Sequence, residues 1–163
     1  MNGSKFFALV QNGASELKAN KNIINDLNVF PIPDGDTGDN MFMTISAGCG
    51  QAMEVACGDE SIGLVADALS KGMLLGARGN SGVILSRIFA GIARGFQGKI
   101  EVSVSEFSEA MNHGVKEAYA SVAKPVEGTM LTVIRDSVEF AKKESSENTI
   151  FEEYFEYLEY LVN

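Results

Sequence analysis

Two carboxylates one residue apart, Asp34 and Asp36, lie in the stretch Asn28-Val29-Phe30-Pro31-Ile32-Pro33-Asp34-Gly35-Asp36-Thr37-Gly38-Asp39-Asn40-Met41. Held this close they repel each other. A hard divalent cation relieves that repulsion, and Mg²⁺ takes oxygen ligands of this type. Pro31 and Pro33 each fix φ and push the preceding residue toward extended geometry. Gly35 lets the chain bend sharply where a Cβ would obstruct it, and Gly38 removes bulk where a helix must begin. The same residue types also make ordinary surface turns, so the rest of the chain has to decide between a metal turn and a plain one.

A second stretch, Gly76-Ala77-Arg78-Gly79-Asn80-Ser81-Gly82, joins two helical patterns. Small residues let backbone N–H groups converge, Ser81 adds a hydroxyl, and a following helix start favours an anion. The stretch lacks the Gly-Lys-Ser/Thr ending of a P-loop, and no strand precedes it as a dinucleotide fingerprint requires. A glycine-rich link capped at Asn80 or Ser81 is the plainer alternative. A third stretch, Pro125-Val126-Glu127-Gly128-Thr129-Met130-Leu131-Thr132, reads as a helix stop followed by a new helix start.

The elements that must position these loops are helical. Phe6, Leu9, Val10, Ala14 and Leu17 line one face to about Lys18, and Ile23, Ile24 and Leu27 form a short further run. A second long helix opens at Thr37 or Gly38 and carries Met41, Ile45, Ala52, Met53 and Ala56, with Gly48 and Gly50 allowing close packing. Asp59-Glu60-Ser61 breaks the pattern. Leu64 to Leu74 form the next face, and a fourth helix runs from about Asn80 to Phe96, stopped by Gly98.

Lys99 to Val104 alternates like a strand, but with no partner strand it reads as a loop. Ser103 with Glu106, and Thr149 with Glu152, match capping boxes. Helices are expected to about Ala123, from Gly128 to about Lys143, and after Thr149, where Ile150, Tyr154, Leu158 and Leu161 share one side. The pattern is still apolar at Leu161 and Val162, which suggests a fragment of a longer chain. Six or seven helices joined by short links make an all-α bundle or closed barrel of antiparallel amphipathic helices. If they alternate in direction, all three loops fall at one end.

These three stretches, in this order, resemble the N-terminal nucleotide-binding domain of bacterial fatty acid kinase, which is similar to the ADP-binding L subunit of dihydroxyacetone kinase (the DhaL type). The resemblance covers most of the chain. It implies a DhaL-like barrel of antiparallel helices, usually eight, that binds ATP through two Mg²⁺ at one end. It implies Asp34 and Asp36 as metal-binding carboxylates, with Asn28 standing where the L subunit has a further aspartate. Thr37, Asn40 and Met41 would sit against phosphate and nucleotide. Gly79, Asn80, Ser81 and Gly82 would cradle phosphate oxygens, and Thr129 and Met130 would lie near base or ribose. Arg78 is the candidate helper for developing charge. Asp39 stands where the family often has a small or neutral residue, so its charge is expected to face solvent or hold a metal-bound water.

The implied reaction is transfer of phosphate from ATP to a fatty acid carboxylate presented by a separate lipid-binding protein, giving acyl phosphate and ADP. The C-terminal domains of such a kinase would be further partners. Dihydroxyacetone kinase L-subunit activity and a non-catalytic nucleotide-binding module are the alternatives.

Composition narrows the field. With 22 acidic and 13 basic residues the chain carries a formal charge of -9, which argues against a general nucleic-acid binder. Arg78, Arg87, Arg94 and Arg135 remain as a local basic set for phosphates. The apolar run after Lys5 is too short for a signal peptide, and no stretch is long enough to span a bilayer, so a cytoplasmic protein is expected. Cys49 and Cys57 are expected as buried free thiols, since roughly two helical turns would separate them. His113, Met43, Tyr154, Phe155 and Tyr157 read as packing or surface residues, and Glu127 as a carboxylate at a helix start.

Overall fold

The computed structural model describes residues 1–29, 32–58 and 61–161. The residues on either side of the first proline bond (Phe30 and Pro31), the Asp59-Glu60 break and the apolar end at Val162 lie outside the described residues.

Seven helices form among the described residues: α1 (Gly3–Asp26), α2 (Thr37–Gly58), α3 (Ile62–Leu75), α4 (Gly79–Gly95), α5 (Val104–Ala120), α6 (Met130–Glu144) and α7 (Phe151–Glu159). Each packs on the next in sequence, and α1 with α3 and α2 with α4 add two diagonals. The expected all-α architecture of amphipathic helices is what forms. The packing described is that of a bundle; closure into a barrel stays an expectation of the resemblance.

α1 is one continuous helix, where the apolar pattern divides it near Lys18. Its second half continues because the side facing α2 turns polar there. Lys21 and Asn25 both bond to Asp39 of α2, so apolar periodicity lapses without the helix ending. Ser103 and Glu106 form the expected capping box, the Ser103 N–H donating to Glu106 Oε2 at 2.9 Å. Lys99, with that N–H, holds the Glu106 carboxyl down from the ordinary 4.5 to about 2. The second box is displaced by one residue. α7 begins at Phe151, and Glu153 rather than Glu152 accepts from the backbone, at Ile150 N–H. Thr149 instead accepts the Ser146 N–H. The 99–103 link is a loop, as expected, with one isolated bridge between Asn2 and Glu101.

The core is densest at the end away from the three loops. Phe6 of α1 meets Phe96 edge-on at 5.4 Å, and Phe107 of α5 meets Phe151 and Tyr154 of α7 at 5.6 and 5.9 Å. Such edge-to-face pairs each add about 0.5–1.5 kcal/mol beyond burial. They set a rigid floor under helices that carry the loops at their other ends. Tyr154 is fully buried here and serves packing.

Small residues set the close helix crossings. A Cβ on Gly48 would press on Met73 and come 2.8 Å from Leu69 O, whereas Gly50 faces open space. Only the first of the two expected packing glycines is therefore used as one. Of the cysteines, Cys49 is half-buried, and burial raises its thiol pKa. Cys57 is exposed, contrary to the expected buried pair: in the last turn of α2 it is Val55 and Ala56 that pack against the core. No helix among the described residues is long and apolar enough to cross a membrane.

Candidate functional site

The acidic turn leaves α1 at Leu27 and returns into α2 at Thr37. Gly35 takes φ +66 at its apex, a conformation that L side chains rarely adopt. Asp34 and Asp36 are both exposed, and neither is in an ion pair among the described residues. Asn28 donates from Nδ2 to Asp34 Oδ1 at 2.7 Å. The amide thus lies beside the first carboxylate, with its N–H side presented to it. For Asn28 to serve as a ligand, that amide must turn its oxygen to the cation.

Asp39 keeps 40% of its side chain exposed and is also paired: Lys21 Nζ donates to Oδ1 at 2.5 Å and Asn25 Nδ2 to Oδ2 at 2.8 Å. These two donors, Lys21 first, lower its pKa. The extra charge is neutralised within the seam between α1 and α2.

The glycine-rich link docks on the first two turns of α2. Thr44, fully buried, donates to Asn40 O at 2.7 Å and accepts the Arg78 N–H at 3.2 Å. A Cβ on Gly82 would fall on Thr44 Oγ1, and one on Gly79 on the Asn40 amide. Gly79 also takes φ +57. Asn40 is 8% exposed, and its side chain makes no hydrogen bond among the described residues. The sequence-derived pair of loops is thus brought to one end, and α2 joins them.

The two helix starts differ. At α2, Asn25 Oδ1 accepts the N–H groups of Gly38 and Asp39, and Asp36 O accepts that of Asn40. At α4 no side chain caps the start: Arg78 is extended and Gly82 N–H donates to Arg78 O. The N–H groups ahead of Gly82, together with the Ser81 hydroxyl, form the opening turn, where a helix carries its orphan donors and positive dipole end. The uncapped start of α4 offers N–H donors to an anion. Among the described residues no group of three or more His, Cys, Asp or Glu side chains gathers to hold a metal, and the turn offers two exposed carboxylates, the number by which Mg²⁺ is held when phosphates supply the remaining oxygens.

The third loop is not joined to the other two by a hydrogen bond or ion pair among the described residues. α5 runs antiparallel to α4, with Gly91 against His113 and Gly114, and Gly95 against Ala110. The loop after α5 therefore lies at the end where α4 begins. Thr129 caps α6, accepting from Leu131 N–H and donating to Val126 O at 2.8 Å, while Met130 packs partly into the core. Glu127 is engaged by Arg135 at 2.8 Å, Thr132 at 2.8 Å and Tyr119 at 3.4 Å.

Of the four arginines, Arg94 pairs with Glu117 and Arg135 with Glu127 and Asp136. Arg78 is exposed, and among the described residues its guanidinium reaches only Ala77 O, at 3.4 Å. It stays available to a ligand, as does exposed Arg87, which makes no ion pair among the described residues. Thr37, Met41 and His113 are half-buried. Sequence reasoning missed Lys21, Asn25 and Thr44. The only signal was polar residues where a helical stripe should be apolar.

Residues 31–160 match the DAK2 domain, and the chain belongs to that family, a kinase-associated module. Among its relatives, Protein YloV of Bacillus subtilis is 45% identical over 141 residues, covering 86% of this chain and 25% of that protein. An uncharacterized protein of Staphylococcus aureus is 40% identical over 162 residues, 99% of this chain and 29% of the relative. The chain thus spans between a quarter and a third of the length of the curated relatives it matches.

Proposed function

We propose that the chain is the ATP-binding domain of a fatty acid kinase, acting with Mg²⁺ on a fatty acid presented by a separate lipid-binding protein in the cytoplasm. The observation that carries this reading is the junction of the acidic turn and the uncapped start of α4 through one helix, α2, at Asn40 and Thr44. Asp34 and Asp36, with Asn28 beside them, would hold the cations. The N–H groups of Gly79, Asn80 and Ser81 would face the phosphates, with Gly82 keeping the backbone close to α2. Asn40, buried and with no side-chain hydrogen bond among the described residues, would meet the nucleotide together with Thr37 and Met41. Thr129 and Met130 would border the base or ribose.

Bound Mg²⁺ supplies charge neutralisation for the phosphates and the approaching anion. The acceptor is a carboxylate already ionised near neutral pH, so no base has to remove a proton. One carboxylate oxygen forms a bond to the γ-phosphorus as the bond from that phosphorus to the ADP oxygen breaks. ADP leaves with the electron pair, and no proton moves. The residues' task is alignment and charge, which is most of what phosphoryl transfer requires. Arg78 would meet the charge that develops on the transferring group.

Acyl phosphate is trapped by hydroxylamine as a hydroxamate, which makes the reading testable. The full-length protein containing this domain should yield hydroxamate only with ATP, Mg²⁺, fatty acid and its lipid carrier all present. Phosphorylation of dihydroxyacetone in place of the fatty acid would move the assignment to the L-subunit reaction. Nucleotide binding with no transfer to either acceptor would leave a non-catalytic binding module.

A further inference from the structure

One side chain ties down both ends of the acidic turn. The chain leaves α1 just after Asn25 and re-enters helix at Thr37, and Asn25 spans the base of that excursion with three hydrogen bonds. Its Oδ1 accepts the N–H of Gly38 at 2.8 Å and of Asp39 at 3.2 Å, and its Nδ2 donates to Asp39 Oδ2 at 2.8 Å. Lys21, one turn earlier on α1, completes the Asp39 carboxylate, and Gly38 sits directly on the Lys21 backbone, where a Cβ would collide. Asn25 also feeds the turn from its main chain, its O accepting the N–H of Leu27 and Asn28. Asn28 then reaches Asp34.

We infer that Asn25 is a positioning residue for cation binding at Asp34 and Asp36. This rests on the proposal that those two carboxylates hold the cation. The asparagine acts in two ways. It fixes the base of the turn, so the carboxylates are presented without the ordering cost of an open loop. It also keeps Asp39 turned into the seam with Lys21, so a third carboxylate does not draw the cation out of register. Its amide can do both because it carries an acceptor and a donor on one plane. Alanine can do neither, and aspartate can cap the two N–H groups but repels Asp39.

The probe is Mn²⁺ with a non-hydrolysable ATP analogue, followed by calorimetry as the Mn²⁺ needed for half-maximal analogue binding. Partners behind metal ligands commonly change metal affinity by about 10–100-fold, so Asn25→Ala should raise that concentration by about 10-fold. In the metal-free chain, hydrogen exchange at the Gly38 and Asp39 amides should speed up. The pair Asn25→Asp with Asp39→Asn reverses the hydrogen bond while preserving the total charge, and residue 25 lies one helical turn from Lys21, within reach of its ammonium. That double variant should return near wild-type half-saturation, and Asn25→Asp alone should not.

A lowered urea midpoint for Asn25→Ala with unchanged Mn²⁺ half-saturation would reduce Asn25 to a helix cap and overturn the inference. So would a double variant that folds but binds no better than Asn25→Asp. If the wild-type chain shows no Mn²⁺-dependent analogue binding, the cation assignment itself fails, and this outcome is separable from the others.

Discussion

Replacing Asp34 and Asp36 together by asparagine is expected to abolish Mg²⁺-dependent nucleotide binding and to leave the helices folded. The fold does not depend on these carboxylates, since both are exposed and neither forms an ion pair among the described residues. The side-chain partner of Asp34 among the described residues, Asn28 Nδ2, can still donate to the amide oxygen of an asparagine. What the exchange removes is two formal negative charges beside one another. Mg²⁺ gives up its water reluctantly and is held by one or two carboxylates together with substrate phosphates. Neutral amides do not replace them, and without the cation the phosphates face a chain that is still acidic, its formal charge of -9 reduced only by the two carboxylates removed. Calorimetric titration with ATP and Mg²⁺ should show no binding, alongside an unchanged far-ultraviolet dichroism spectrum. Wild-type affinity in the folded double variant would place the cation elsewhere.

Gly82→Val has the second large effect, and it acts from the opposite side of the mouth. The added Cβ alone falls on Thr44 Oγ1, an atom locked between Asn40 O and the Arg78 N–H. The branches of valine add to the clash. Thr44 is fully buried and has no room to retreat, so the start of α4 must move off α2. Overpacking of this type costs about 1–3 kcal/mol of stability. The movement separates the N–H groups of residues 79–81 from the acidic turn, so nucleotide affinity should fall by more than about 10-fold, the loss of roughly one charge-assisted hydrogen bond. Gly50→Val is the control: it lies on the same helix set with open space around it, and its nucleotide affinity should match wild type. Equal losses in both variants would show that the effect is general destabilisation of the bundle.

The helices were legible mostly where a side chain speaks to its own neighbours in sequence, although the box read at Thr149 and Glu152 lies one residue on, at Ile150 and Glu153. The box at Ser103 and Glu106, the stop at Gly98 and the start of α4 near Gly79 all rest on local chemistry. The two chemical loops were legible for the same reason, as short runs of glycine, proline and aspartate.

The contacts that hold those loops in place were not. Asn25 meets Gly38 and Asp39 across 13 and 14 residues, and Thr44 meets Arg78 across 34. Bonds of that span leave no periodic trace. They even disguise the helix that makes them, since polar Lys21 and Asn25 on the inner side of α1 read as its end. Glu127 was legible as a carboxylate at a helix start, but its pairing with Arg135, eight residues on, was not.

The central claim is that cation and phosphate meet at one mouth, between the acidic turn and the start of α4. A crystal structure of the chain soaked with Mg²⁺ and a non-hydrolysable ATP analogue measures this directly. The account predicts metal density at about 2.0–2.1 Å from carboxylate oxygens of Asp34 and Asp36, with phosphate oxygens against the N–H groups of residues 79–81. Nucleotide bound away from that mouth, for instance in the groove between α3 and α4 lined by Leu64, Asp67, Arg94 and Gln97, would contradict it.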